Sequence, residues 1–402
     1  MLAEALFIIS VGILAYIYIG YPMLINVLSL FFGRDVRMAK CMPRVSIVVA
    51  ARNEENDIAA KIENTLALEY PHERLEIIVA SDCSTDHTDA IVGSFADRGV
   101  VLRRASVRLG KTAAQNQAVQ ASVGDILVFS DATTRLGRNA LNRIVRSFAD
   151  PEVGCVTGQL VYVDKDPLGS GVGSGCRTYW NWEKRIRQSE SRLGSLIGVS
   201  GCFYAVRRSC YPRLSGEMID DFVIASEIHL QGLRTVYDPE AVAMEYTNRS
   251  ASDEFRMRVR VVEQSMNALS RYWKRLRGKW DMFKLQLVSH KLMRYLAPCV
   301  LLTAYISNLF LTGQNVVYTL SLGGMTSFYV LALAGWWMDR TDRRLGPLTV
   351  PYYFVLANAA AAVALMKFIR GDSHVMWEPV REETEPTAHL RDTDLCVESR
   401  DL

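Results

Sequence analysis

The 402-residue chain lacks the spacings that build zinc sites and disulfide frameworks. Its eight cysteines and six histidines are scattered, no Cys-x-x-Cys occurs, and no two histidines stand at a metal-ligand spacing. Free thiols in a reducing cytosol are therefore expected. The chain also lacks a Gly-x-Gly-x-x-Gly after its first predicted strand, which excludes a nicotinamide-dependent dehydrogenase.

Two long stretches lack charge altogether. No charged residue lies between Glu4 and Arg34, and none from Tyr295 to Met338. Since roughly 20 apolar residues span a bilayer, the first stretch predicts one membrane helix. The polar segment 312–315 divides the second stretch into two, and a further apolar span runs from about Leu348 to Met366. The start Met-Leu-Ala-Glu lacks the basic residues of a cleaved signal peptide.

The distribution of basic residues orients the chain. Arg34, Arg37 and Lys40 follow the first span, so the positive-inside rule places the next domain in the cytosol, at an inner (cytoplasmic) membrane. Counting spans places the C-terminal tail outside, whereas the basic residues after the last span favour the cytosol. We favour the cytosol, which would require the last apolar segment, or one before it, to be re-entrant or interfacial. The expected divisions are an N-terminal transmembrane helix (1–33), a soluble domain (42–255), basic interface helices (256–293), C-terminal transmembrane helices (294–369) and a disordered tail (370–402).

The segment from Arg256 to Arg294 is strongly basic. It holds eleven Lys and Arg but two acidic residues, interleaved with aromatic side chains. This pattern suits an anionic membrane surface or a nucleic acid. We favour the lipid bilayer and no nucleic acid, because an apolar span follows at once.

Apolar runs alternate with helical patterns in the soluble domain. Val45–Ala51, 75–80 and 126–129 are rich in β-forming residues, which is typical of buried parallel strands. Their alternation with helices predicts an α/β fold with a mostly parallel sheet and helices on both faces. Further along, we predict a strand over 154–162, a flexible Gly/Ser-rich loop over 169–175, a helix over 178–192 and a strand over 199–206.

Polar residues follow several of these strands. Asn53 and Glu54 follow the first strand, Asp82 the second and Asp131 the central one, while Lys111 opens a helix. Ligands of open α/β sheets bind at the carboxyl ends of the strands. A lone aspartate there is more often a helix cap, but repetition at successive strands favours a binding site for a ribose, a base, a diphosphate or a hard cation.

At these residues the chain resembles a membrane-bound family 2 glycosyltransferase with the GT-A fold. The resemblance covers Val45 to about Leu269 and the flanking membrane helices. The matching segments are Ala50–Glu54, Ser81–Asp86, Gly110–Asn116, Asp131–Thr133, Gly201–Arg208 and Asp220–Asp221.

The resemblance implies roles for residues at these segments. Asp221 would be the general base, with Asp220 as its neighbour or helix cap. The nucleotide would be bound by Ala51, Asn53, Glu54, Asp82, Lys111, Asp131 and Arg260. Mg²⁺ or Mn²⁺ would be held by Asp131 and Thr133. The acceptor would lie near Gly201 and Cys202, with Trp180 either a stacking platform or a membrane-interface anchor.

Two positions depart from the family pattern. Thr133 replaces the second carboxylate of Asp-x-Asp, so the metal would depend on Asp131, phosphate oxygens and water. The Gln-x-x-Arg-Trp motif of processive members has its best counterpart in Met257–Val261, where Arg260 matches the arginine but the tryptophan is absent.

The resemblance predicts an inverting transfer of a sugar from a nucleotide-diphosphate sugar, with uridine diphosphate favoured, to a growing extracellular polysaccharide. Partner subunits of an export system would fit this activity. Two alternatives remain: a single transfer onto a polyprenyl-phosphate lipid acceptor, and a non-catalytic membrane scaffold.

Overall fold

The computed structural model describes residues 1–163, 171–214, 220–247, 250–276, 278, 280–341, 343 and 345–371. The tail expected at 370–402 lies outside the described residues from 372 onward. The described residues form two compact units. The sheet unit comprises Asp35–Val161 and Ser195–Glu245. The helical unit comprises Met1–Arg34, Tyr162–Gly194 and the described residues from Tyr246 onward.

The sheet unit alternates strands with helices along the chain. Its strands are β1 (Val45–Ala51), β2 (Leu75–Ser81), β3 (Val100–Arg104), β4 (Ile126–Asp131), β5 (Arg135–Leu136), β6 (Val153–Val163), β7 (Phe203–Arg207) and β8 (Arg234–Tyr246), of which β6 and β8 run on into the helical unit. Its helices are α3 (Ile58–Leu66), α4 (Thr88–Gly93), α5 (Lys111–Ala121), α6 (Ala140–Arg146) and α8 (Asp220–Leu230).

The eight strands form one mixed sheet in the order β3-β2-β1-β4-β7-β6-β8-β5. The first four are parallel, and β7 joins β4 in the antiparallel direction. Every residue of β1 is buried, as expected for a central strand with both faces covered. The register sets Ala50 beside Asp131 and Ala51 beside Ser81, so the carboxyl ends of three strands meet at one edge.

The structure differs from the sequence predictions at one predicted strand and at one predicted loop. The predicted strand at 199–206 begins only at Phe203, because Phe203 N donates to Ser200 O in a turn (2.9 Å). The Gly/Ser-rich loop prediction is wrong for 171–175, which begins a helix, while 164–170 lie outside the described residues. A Cβ on Gly175 would stand 2.7 Å from the Tyr353 ring, so the small residue allows a close helix contact.

The helical unit contains α1 (Leu2–Ala15), α2 (Tyr21–Phe32), α7 (Gly171–Leu193), α9 (Ala251–Trp273), α10 (Met282–Gln286), α11 (Met293–Leu309), α12 (Val316–Arg340) and α13 (Thr349–Arg370). Short π-helical segments, Tyr16–Gly20 and Leu287–Leu292, join α1 to α2 and α10 to α11. By length and composition, four helices of the described chain could cross a membrane: Leu2–Phe32, Met282–Leu309, Val316–Arg340 and Gly346–Arg370. Four spans are also what the sequence predicts.

A buried ionic cluster joins α7 to the 282–309 helix within the helical unit. Glu183 contacts His290 Nε2 and Arg294 Nη1, both at 2.9 Å, and Glu190 contacts His290 Nδ1 at 2.7 Å. The Arg294 guanidinium also lies over the Trp182 ring, 4.5 Å from its centroid. Burial alone would raise the pKa of Glu183, but His290 and Arg294 outweigh it and lower that pKa. Glu183 is therefore ionised and paired.

Candidate active site

The turns after β1 and β2 are tied to each other by hydrogen bonds. Asn53 adopts a positive φ of 50°, and its side-chain Oδ1 accepts from Thr85 N (2.7 Å). Its backbone N–H donates to Ser84 Oγ (3.0 Å), while that of buried Glu54 donates to Thr88 Oγ1 (2.6 Å). These two residues therefore hold the turns together, and their contact with a nucleotide stays a prediction.

Asp82 is fully buried and positions the start of helix α5. Its two carboxylate oxygens accept from Leu109 N (3.0 Å) and Gly110 N (3.1 Å), and its own N–H donates to Ala51 O (3.0 Å). Gly110 has a φ of 90°, a conformation that favours glycine. Asp82 thus fixes the loop that delivers Lys111 to the edge of the sheet, and its contact with a nucleotide stays a prediction.

Lys111 is the centre of the polar cluster at this edge. Its Nζ lies 2.6 Å from Asp131 Oδ1 and 3.9 Å from Asp220 Oδ2, and it donates to Gly201 O (3.1 Å). Burial alone would lower the pKa of Lys111, but Asp131 and Asp220 outweigh it and raise that pKa. The ammonium is therefore charged and shared between two carboxylates.

The two aspartates that begin helix α8 have different surroundings. Asp220 is buried, contacts Lys111 and accepts from the Tyr204 hydroxyl (3.3 Å). Burial raises the pKa of Asp220 against the opposing effect of Lys111. Asp221 is only partly buried, and its Oδ1 accepts from Phe222 N (2.5 Å). Asp221 is thus the more accessible carboxylate, while Asp220 is held in place.

Gly201 and Cys202 form the turn in front of these carboxylates. A Cβ on Gly201 would lie 3.5 Å from Asp220 Oδ1, 3.8 Å from Lys111 Nζ and 3.9 Å from Asp221 Cβ. Glycine therefore keeps the space between the ammonium and the aspartates open. Burial, with Glu245 and Asp131 nearby, raises the pKa of the Cys202 thiol, so this buried thiol stays neutral.

Two charged residues near the cluster were missed by the sequence reasoning. Glu245, near the end of β8, accepts from Thr133 Oγ1 (3.2 Å). Burial and the nearby Asp131 raise the pKa of Glu245 to about 7. Lys61 of α3 is fully buried and donates to Ser130 Oγ and Thr134 O, both at 2.7 Å. Burial and Arg135 lower the pKa of Lys61 to about 7.

Two predicted site residues belong to the helical unit. Arg260 is half-buried on α9, and Trp180 lies on α7, with its ring 5.6 Å from that of Tyr162 and 6.0 Å from that of Tyr179. The remaining predicted residues lie in the sheet unit. Nucleotide binding by Arg260 and acceptor stacking by Trp180 therefore stay predictions.

The residues around Asp131 fit a hard cation by their chemistry. Within the described chain, no three His, Cys, Asp or Glu side chains are grouped as a metal site. However, Asp131 Oδ1 is buried and makes no aligned hydrogen bond, even though Lys111 Nζ stands 2.6 Å away. Carboxylate and hydroxyl oxygens at Asp131 and Thr133 suit Mg²⁺ or Mn²⁺, which would take further ligands from a diphosphate and water.

Comparison with known proteins agrees with this architecture. The family model described as Glycosyl transferase family 2 matches residues 46–214. A β-monoglucosyldiacylglycerol synthase of Nostoc sp. is 28% identical over 246 residues, covering 56% of this chain and 50% of that protein. A poly-β-1,6-N-acetyl-D-glucosamine synthase of Staphylococcus aureus is 25% identical over 233 residues, covering 56% of each. The chain thus spans about half the length of the curated relatives it matches.

A solved structure extends the similarity to almost the whole chain. A mannosyltransferase from Pyrobaculum calidifontis, in complex with GDP-Man and Mn²⁺, aligns with a TM-score of 0.70 and 23% identity. The alignment covers 92% of this chain and 100% of that one. At this identity the likeness establishes the fold. Residues 46–214 thus match the glycosyl transferase family 2 model, in a chain that combines a GT-A-like mixed sheet with four candidate membrane helices within its described residues.

Proposed function

We propose that this protein is a membrane-integrated, inverting glycosyltransferase that moves a sugar from a nucleotide-diphosphate sugar to a growing extracellular polysaccharide. The observation that carries the proposal is the cluster of Lys111, Asp131 and Asp220, with Asp221 beside it, at the carboxyl edge of the sheet. A uridine diphosphate donor, an inner-membrane location and a cytosolic catalytic domain belong to the same proposal.

In this mechanism Asp221 takes the proton from the acceptor hydroxyl as that oxygen attacks the anomeric carbon. The anomeric carbon–oxygen bond to the diphosphate breaks in the same step, so the configuration inverts. Asp221 suits the role because it is the accessible carboxylate of the pair, while Tyr204 and Lys111 hold Asp220 in place. No covalent intermediate on the protein is needed.

The leaving nucleoside diphosphate gains negative charge, and Lys111 is placed to offset it. A divalent cation held by Asp131 and Thr133 would supply further charge stabilisation when bound. The Mn²⁺ in the Pyrobaculum calidifontis complex supports metal use here, and its GDP-Man supports a nucleotide-sugar donor of some kind. Asp82 contributes by fixing the loop before Lys111.

A second candidate is a single transfer onto a lipid acceptor. Two observations favour it: the similarity to a synthase of glucosyldiacylglycerol and the absence of the tryptophan expected near Met257–Val261. Trp180, on a helix of the helical unit, would then serve as an interface anchor rather than as a sugar platform. The two candidates share the same chemistry at Asp221 and differ in acceptor and product length.

Transfer of radiolabelled sugar by the purified full chain in detergent, with Mg²⁺ or Mn²⁺ and a panel of nucleotide sugars, tests the proposal. A large water-soluble product from one donor would support polysaccharide synthesis, and a single labelled species in the organic phase would support the lipid acceptor instead. Asp221→Asn should abolish transfer yet retain nucleotide binding, whereas Glu227→Gln on the same helix should stay active. Full activity of Asp221→Asn would exclude its role as base.

A further inference from the structure

Glu245 is brought to the Asp131–Thr133 turn by antiparallel pairing of β5 with β8. The antiparallel register pairs Leu136 with Ala243 and Arg135 with Met244. Continued by one residue, it sets Glu245 opposite the residue that follows Thr133. The Thr133 hydroxyl donates to Glu245 Oε1 across this gap (3.2 Å). A carboxylate more than one hundred residues away in sequence therefore stands beside the position where the Asp-x-Asp pattern has lost its second carboxylate.

The charge of Glu245 is not balanced by an ion pair within the described chain. The nearby lysines are committed elsewhere: Lys111 to Asp131 and Gly201 O, and Lys61 to Ser130 and Thr134 O. Glu245 contacts Thr133, which lies two residues after Asp131 in the chain, so two carboxylates stand at this turn. A divalent cation between the two carboxylates would offset both charges. A cation there would share the Asp131 carboxylate with Lys111, whose Nζ lies 2.6 Å from Asp131 Oδ1.

We propose that Glu245 is a ligand of the divalent cation at Asp131, supplying the carboxylate that Thr133 cannot. The inference rests on the proposed function, because it concerns the metal that this function uses. It assigns the ion an oxygen-only donor set of Asp131, Thr133 and Glu245, completed by phosphate oxygens and water. Such a set is preferred by Mg²⁺ and Mn²⁺ over softer metals.

A purely structural role for Glu245 can be separated from metal binding. If Glu245 only orients Thr133, then glutamine serves equally well, because its amide oxygen also accepts a hydrogen bond from a hydroxyl. If Glu245 binds the cation, then Glu245→Gln removes a charged ligand while leaving that hydrogen bond possible. The matched control is Glu240→Gln, which makes the same change on the same strand, at a carboxylate that pairs with Arg143 and Arg146.

The test is titration of the purified full chain with Mn²⁺ alone, following free Mn²⁺ by electron paramagnetic resonance. No sugar donor is needed, so the result does not depend on finding the substrate. We expect the wild type and Glu240→Gln to bind Mn²⁺ with similar affinity. Glu245→Gln and Asp131→Asn should each lose at least about tenfold in Mn²⁺ affinity. Thermal unfolding checks that each variant is folded.

Wild-type affinity in folded Glu245→Gln, with weakened binding in Asp131→Asn, would overturn the inference and leave the proposed function standing. No Mn²⁺ binding by the wild type would overturn it as well. A failed donor screen alongside the expected Mn²⁺ result would instead count against the proposed function alone.

Discussion

Lys111 Nζ and Asp131 Oδ1 lie 2.6 Å apart, although one residue starts helix α5 and the other ends strand β4. The parallel strands β1, β2 and β4 create this proximity, since Asp82 at the end of β2 anchors the loop before Lys111. The pair places a fixed positive charge at the carboxyl edge of the sheet. A cation bound at Asp131 would share that carboxylate with Lys111.

Replacing Lys111 should reduce sugar transfer sharply. Lys111→Met removes the positive charge that the proposed mechanism sets against the leaving diphosphate, and a loss of about 10²- to 10³-fold in kcat is expected. Lys111→Arg retains the charge and should lose less. The measurement is the initial rate of transfer with saturating donor, and Lys40→Met, at an exposed lysine of the same unit, is the control. Unchanged kcat in folded Lys111→Met would contradict this prediction.

Filling the space at Gly201 should impair transfer more than folding. Gly201→Val places branched carbons among Lys111 Nζ, Asp220 and Asp221, where the proposed mechanism brings in the acceptor hydroxyl. We expect at least a tenfold lower rate, with a smaller effect for Gly201→Ala. Rates and melting temperatures should be compared with Gly93→Val, where a Cβ meets nothing within 4 Å. A rate loss that only parallels a loss of thermal stability would argue against steric exclusion.

The buried Lys61 should make the free energy of unfolding increase as the pH rises above about 7. Its pKa in the fold is about 7, whereas an unperturbed lysine has about 10.4, so the unfolded chain binds the extra proton between these values. The contribution of Lys61 to stability should therefore rise with pH across this window, by at most about 1.4 kcal/mol per pH unit, and stay constant below it. The measurement is thermal unfolding at pH 7 and pH 9.

The control for this pH dependence is Lys61→Met, which lacks the titrating amine. The difference in melting temperature between the wild type and this variant should grow in favour of the wild type as the pH rises. A constant difference would show that Lys61 has an ordinary pKa in the fold.

Breaking the buried ion pairs of Glu183 should destabilise the helical unit. Glu183→Gln leaves the Arg294 guanidinium, whose Nε and Nη2 atoms are buried, without its carboxylate partner, at a cost of about 3–5 kcal/mol. Glu63→Gln, which breaks the exposed pair with Arg98, should have little effect. Thermal unfolding in detergent compares the two variants. Equal stability for both would show that Glu183 is not needed to balance Arg294.

The sequence by itself predicts the elements that depend on local patterns. Apolar runs of β-forming residues place β1, β2 and β4, and the uncharged stretches place the candidate membrane helices, because burial from water requires such runs wherever they occur. The polar residues that follow strands, Asp82 and Asp131, are also visible locally. Parallel pairing then brings them to one edge.

Local patterns are less reliable where contacts with distant residues decide the structure. The Gly/Ser-rich segment around Gly175 is typical of a loop, yet it is helical where the missing Cβ admits the Tyr353 ring. Lys61 occupies the buried face of α3 and is satisfied by Ser130 and Thr134, about seventy residues away. A lysine on a short amphipathic helix gives no sign of such burial.

The tertiary structure alone placed Glu245 beside Thr133 and Asp220 beside Lys111. Both pairs join segments that are separated by about one hundred residues, and each depends on which strands become neighbours in the sheet. Sequence periodicity reports which face of a strand is buried but not which strand lies next to it. The residue types of the site were therefore determined by the sequence, whereas their ion pairs and altered pKa values were decided by the fold.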